Sequence, residues 1–195
     1  MHPITGVLLG FDVSLRDIDP THVMLSIVVE DSFLNHSSNI FPPSNISHVR
    51  VSLDLGSCTD DLSDILAHLF CTLRNIPLAF FALELDYPKA SRSLIELCRH
   101  AVANTKAPTK LQHHDIMQVT LISMDLDACA RQLLKISSAL EYVFVNFKHK
   151  QQPDTAWQVS RPTDGIARLR RMKDWERAGV WQASPLSNEP EFQNW

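Results

Sequence analysis

Glycine is scarce in this chain, with five among 195 residues. Neither the G-x-G-x-x-G fingerprint nor the P-loop pattern occurs, which excludes phosphate cradles of those two kinds. Cysteine is scarce as well. Cys58, Cys71, Cys98 and Cys129 are widely spaced and form no C-x-x-C pair, so the common zinc and thiol-redox spacings are missing. There is no G-x-S-x-G elbow to mark a hydrolase serine. No apolar run is long enough to span a bilayer, and Met1-His2-Pro3-Ile4 has neither the positive region nor the apolar stretch of a secretory signal. The chain also lacks an excess of positive charge. Lys and Arg number 18 against 22 Asp and Glu, for a formal net charge of -4. That balance argues against a nucleic-acid footprint, which usually needs a basic domain. These absences lead to an expectation of reduced thiols, a cytoplasmic or nuclear setting, no membrane partner, no cofactor and no metal.

What is present is apolar and patterned. Hydrophobic residues make up 45% and charged residues 21%, a globular composition with a packed core. His48 to Leu55 alternates apolar and polar residues and predicts a half-buried strand. Thr59-Asp60-Asp61 then predicts a helix start, with threonine as the cap and acids in the first turn. Leu62, Ile65, Leu66, Leu69, Phe70 and Leu73 recur at helical spacing. The unit repeats. Leu78 to Asp86 predicts a second strand, Ser91 or Ser93 caps a helix carrying Leu94, Leu97, Cys98, Ala101 and Val102, and Ile116 to Ser123 predicts a third strand. Asp125 or Asp127 caps a helix carrying Leu126, Cys129, Ala130, Leu133 and Leu134, and Leu140 to Phe147 predicts a fourth strand. Such alternation implies parallel strands with right-handed crossovers.

The expected fold class is therefore α/β: a leucine-rich-repeat-like array of parallel strands with helices on one side. Strand starts near 49, 79, 117 and 140 give irregular repeat lengths. Three segments follow from the pattern. Residues 1–47 contain two strands and a Ser-, Asn- and Pro-rich loop; 48–161 hold the strand–helix repeats; 162–195 hold a basic helix from Asp164 to Arg177 and a tail.

Ligand-bearing groupings are few. His113-His114-Asp115 is the densest metal-ligand cluster and reads as a surface loop, because neighbouring histidines on extended chain face opposite ways. Asp54, Asp60, Asp61, Asp86, Asp125 and Asp127 gather at predicted strand ends, the edge where open parallel sheets host ligands, but helix capping accounts for several of them. Cys58 lies at that same edge and supports an alternative reading as a small α/β enzyme. The favoured reading is non-enzymatic binding through solvent-facing strand residues: Arg50, Ser52, Asp54, Glu84, Asp86, Gln118, Thr120, Glu141 and Asn146. Arg168 to Lys173 reads as a solvated helix face, with Ile166, Leu169 and Met172 on its packed side. Trp157, Trp175 and Trp181 read as a cap on the last repeat.

One stretch carries a resemblance. Leu73-Arg74-Asn75-Ile76-Pro77-Leu78, the helix from Asp127, Ser138-Ala139-Leu140-Glu141-Tyr142-Val143-Phe144-Val145, Trp157-Gln158-Val159-Ser160-Arg161, Leu169 and Trp175-Glu176 together fit a degenerate leucine and tryptophan pattern. Over Leu73 to about Val180 the chain resembles the C-terminal leucine-rich part of fungal, especially basidiomycete, F-box-like proteins. The resemblance implies a repeat domain that recognises another protein, and it transfers no catalytic residues. Residues 1–47 read as strands and loop, with no recognisable F-box.

Overall fold

A computed structural model describes residues 4–8, 21–29, 45–56, 58, 61–74, 76–87, 113–149, 152–163 and 165–187, the first of these as backbone only. The predicted helix after Ser91, and with it Cys98, Thr59 and Asp60, lies outside the described residues.

Among the described residues seven strands form one sheet in chain order: β1 (Ile4–Leu8), β2 (His22–Val28), β3 (His48–Asp54), β4 (Phe80–Asp86), β5 (Tyr142–Phe147), β6 (Thr155–Ser160) and β7 (Arg168–Arg171). The first five run parallel, while β6 and β7 are antiparallel additions. Connection length accounts for the switch. Residues 148–154 and 161–167 are short links, and a parallel return needs a crossover of about a dozen residues or more.

Period-2 patterning sets the register. Val23, Val49, Phe81 and Val143 stand side by side across β2 to β5. Leu25, Val51, Leu83 and Val145 form the next row, and Ile27, Leu53, Leu85 and Phe147 the third. All twelve are buried. A one-residue slip in any strand would turn its apolar set away from the core. Burying each of these side chains contributes roughly 1.5–3 kcal/mol.

Helices α1 (Leu62–Thr72), α2 (His113–Ser123) and α3 (Leu126–Ile136) cover that face. The cap of α1 is Asp61 rather than Thr59: its carboxylate accepts from Ser63 N at 2.7 Å. Leu62, Ile65, Leu66, Leu69 and Phe70 are buried as the stripe predicts. Cys71, next to Phe70 in the same helix, is exposed. Helix α3 is capped by Asp125, which accepts from Ala128 N at 2.9 Å, and buries Cys129, Ala130 and Leu133. Burial, aided by Asp125, pushes the Cys129 thiol up to about 12. Ser137 donates to Leu78 O and ties the end of α3 to the approach of β4, while Trp157 Nε1 donates to Asp127 at 2.7 Å and ties its start to β6.

Two predicted elements are different in kind. Ile116 to Ser123, expected as a strand, belongs to α2, and β4 pairs directly with β5. Met117, Gln118 and Leu121 are its buried side, at helical spacing. The β-branched residues Ile116, Val119, Thr120 and Ile122 favour a strand locally, but tertiary packing overrides them. Thr120 and Ser123 hydroxyls bond back to carbonyls four residues earlier, a habit of these side chains inside helices. Gln152 Nε2 satisfies the terminal carbonyls of Leu121 and Met124. His113 and His114 consequently begin a helix instead of occupying a loop. The parallel strands start at residues 4, 22, 48, 80 and 142, in steps of 18, 26, 32 and 62.

The second difference is at the C-terminal end. The stretch predicted as a basic helix forms β7, followed by α4 (Asp174–Ala183) and a 3-10 turn (Pro185–Ser187). Leu169 and Met172, three apart, looked like one helical side; they pack on opposite sheet faces, and Ile166 is exposed. No helix among the described residues is long and apolar enough to cross a membrane.

Candidate interaction surface

The even-numbered strand residues make the sheet's second face, in rows fixed by the same register. His22, His48, Phe80 and Tyr142 form the row at the strand starts, followed by Met24, Arg50, Ala82 and Phe144. Ser26, Ser52, Glu84 and Asn146 come next, and Asp54 and Asp86 stand side by side at the strand ends.

The first two rows are covered by the chain's own C-terminal segment. Met24, Phe80, Ala82, Phe144, Ala156 and Leu186 form a second buried cluster, with Trp181, Val180, Met172 and Tyr142 against it. The Trp181 ring lies 5.4 Å from Phe144 and 6.0 Å from Phe80, and the Arg50 guanidinium sits 5.5 Å from its centre. Three contacts fix α4 in place. Arg170 Nη1 donates to both oxygens of Glu176 at 2.9 Å, Glu176 also accepts from Lys173 N at 2.8 Å, and Arg177 donates to Asp154 O at 2.8 Å. The Lys173 amide, together with Arg170, holds the Glu176 carboxyl below its usual range.

This cover corrects the expected exposure of several residues. Arg50 and Glu84 are 5% and 4% exposed and form a 2.9 Å ion pair. Ser52 donates to the other Glu84 oxygen at 3.2 Å. Asn146 is 5% exposed. Arg50, Glu84 and Asn146 are therefore interior groups of the second face. Gln118 and Thr120, expected on the same strand surface, sit on α2, against the opposite face. Gln118 is buried there, and its Oε1 has no hydrogen-bond partner among the described residues. Glu141 is exposed just before β5.

Three members of the expected surface do come together and reach solvent, with a fourth residue beside them. Ser26, exposed, is a neighbour that the sequence reading passed over; Ser52, Asp54 and Asp86 are half-buried. Asp86 is held between two groups, Lys148 Nζ at 2.6 Å and His149 Nε2 at 3.0 Å. The hydrogen bond that Lys148 donates to Asp86, with help from the charges of Asp86, Glu84 and Asp54, outweighs burial and raises the Lys148 ammonium above its ordinary value. Asp54 Oδ1 accepts from Gly56 N at 2.9 Å. The strip thus alternates carboxylates, hydroxyls and one exposed cation, a pattern suited to hydrogen-bonding and charged contacts with a macromolecule. Lys148 and His149 were missed because they follow the strand, outside its alternation. Their place beside the end of β4, where Asp86 lies, was the available signal.

Cys58, the residue behind the enzymatic alternative, is 5% exposed and belongs to the core under the first face. Among the described residues no group of three or more His, Cys, Asp or Glu side chains is placed to hold a metal ion. Comparison with protein-family models, with curated proteins and with solved structures finds no match to this chain.

Proposed function

We propose that the chain is a non-enzymatic protein-interaction domain, organised as a leucine-rich-repeat-like array and similar to the substrate-recognition part of F-box-like proteins. Five parallel strands in chain order, with the helices between β3 and β4 and between β4 and β5 against one face, support the array, since stacked strand–helix units leave the second sheet face for contact. The observation that carries the recognition role is the open polar strip at the strand ends: Ser26, Ser52, Asp54, Asp86 and Lys148, beyond the edge of the α4 cover. Its partner is a protein surface with complementary charge, met in the cytoplasm or nucleus. Burial of Cys58 weighs against an enzyme built on that thiol.

Charge reversal tests the proposal. Asp54→Lys combined with Lys148→Glu alters the strip without touching the buried Arg50–Glu84 pair. Affinity capture with the wild-type chain is expected to recover a specific protein, and the folded double variant to recover at least tenfold less, given that close charge pairs at interfaces each couple by about 1.5 kcal/mol or more. Equal recovery by the two chains contradicts the assignment.

A further inference from the structure

The antiparallel end of the sheet has a consequence on the first face. The crossovers from β3 to β4 and from β4 to β5 bring helices over that face, whereas the short links around β6 bring none among the described residues. Helix α4, which follows β7, packs on the other side. A cleft of about 420 Å³ is left between α3 and β7. Pockets for small molecules usually span roughly 300–1,000 Å³.

Its lining is cationic over an apolar floor. Arg131 of α3 and Arg168 and Arg171 of β7 line it, with Trp157 and Leu169 between them. Among the described residues Asp127 is the only carboxylate on the wall, and its Oδ1 already accepts the Trp157 indole N–H. Arg171 Nη2 reaches Thr155 Oγ1 at 3.0 Å, which uses one of five guanidinium donors and fixes the direction of the rest. Arg131 is exposed and forms no ion pair among the described residues. The guanidiniums of Arg131 and Arg171 beside one engaged carboxylate give the cleft a positive excess among its described first-face side chains, in a chain whose net charge is negative.

We propose that this cleft binds a small organic anion, whose phosphate or carboxylate lies between Arg131 and Arg171 and whose apolar body rests on the floor at Leu169. Guanidinium forks match both anions bidentately. The site is separate from the polar strip, which lies on the opposite face, and stands or falls independently of it.

Calorimetric titration of the full chain with phenyl phosphate, benzoate and inorganic phosphate tests this. Saturable binding of phenyl phosphate or benzoate is expected, tighter than that of inorganic phosphate because of the apolar contact. The tighter of the two organic probes identifies the headgroup. Arg131→Ala is expected to weaken binding about tenfold or more without lowering the melting temperature, because its side chain is exposed on a helix and charge-assisted hydrogen bonds carry such factors. Arg74→Ala, an exposed arginine outside the cleft, removes the same charge and is expected to leave binding unchanged. Absence of saturable binding by both organic probes, or equal weakening by Arg131→Ala and Arg74→Ala, overturns the proposal.

Discussion

The two faces of this sheet are built by the same strands and obey different rules. On the first, three rows of Val, Leu, Ile and Phe run unbroken across four parallel strands under α1 to α3. On the second, each row differs: aromatic and imidazole rings, then small and large apolar residues around Arg50, then hydroxyls with Glu84, then carboxylates. An apolar grid tolerates many sequences provided volume is kept. A face that buries an ion pair depends on particular partners, because each charge is costly without the other. The first face holds the chain together, and the second specifies what lies on it, including its own C-terminal helix.

Glu84→Ala should break this contrast most severely. It leaves Arg50 buried without its carboxylate and is expected to cost about 3–5 kcal/mol in urea unfolding. Arg50→Met with Glu84→Leu should recover most of that loss, since apolar replacement of a buried pair is often neutral. Leu83→Ala, the adjacent residue of β4 on the first face, should cost about 2–5 kcal/mol through its cavity, and no polar change at Arg50 should repair it. A double variant no more stable than Glu84→Ala alone would remove the distinction between the faces.

Trp181→Ala sharpens the account of the cover. It removes the ring packed on Phe80 and Phe144 and the cation–π contact to Arg50. The loss is expected to be about 2 kcal/mol, because the ring is only partly buried and two contact types go together. Hydrogen exchange should accelerate in α4 and leave α1 and α3 unchanged.

The smallest effect is expected at the rim of the second face. His22 and His48 lie 4.9 Å apart, and His48 stacks on Phe80. Burial lowers both imidazoles below their ordinary value of 6.5; for His48 the neighbouring His22 lowers it further, against a raising pull from Glu141. A lowered folded value means that the unfolded chain binds protons first as pH falls. The stability these groups contribute is therefore present above pH 6.5 and lost on acidification through that value towards the folded ones. The His22→Gln/His48→Gln variant should show a flatter pH dependence of stability just below 6.5, and an unchanged slope would contradict the assignment.

The legible parts of the fold were those with strong period-2 or period-3.6 patterns. Strands β3, β4 and β5 and helices α1 and α3 follow from alternation, leucine stripes and acid placement, which left the cap of α3 open between Asp125 and Asp127. The segment 116–123 did not, because its β-branched residues favour a strand while its burial follows a helix. Residues 168–172 misled in the opposite sense: Leu169 and Met172 have helical spacing by coincidence, across a four-residue strand. For the site, the even-numbered strand positions were identified as one face, but alternation says only which residues share a face. What covers that face is a long-range matter. Nothing local in Arg50 or Glu84 foretells Trp181, so their burial was invisible, whereas Asp54 and Asp86 at the strand ends keep the solvent contact expected of them.

The account rests on the second face being divided between a covered half and an open half. Thiol labelling measures that division directly. In a chain whose four native cysteines are replaced by serine or alanine, Ser26→Cys, in the open row, is expected to react about as fast as a free thiol. Ala82→Cys, one row away beneath the cover, should react at least about 100-fold more slowly, since it labels only when α4 opens. Similar rates at the two positions would contradict the division.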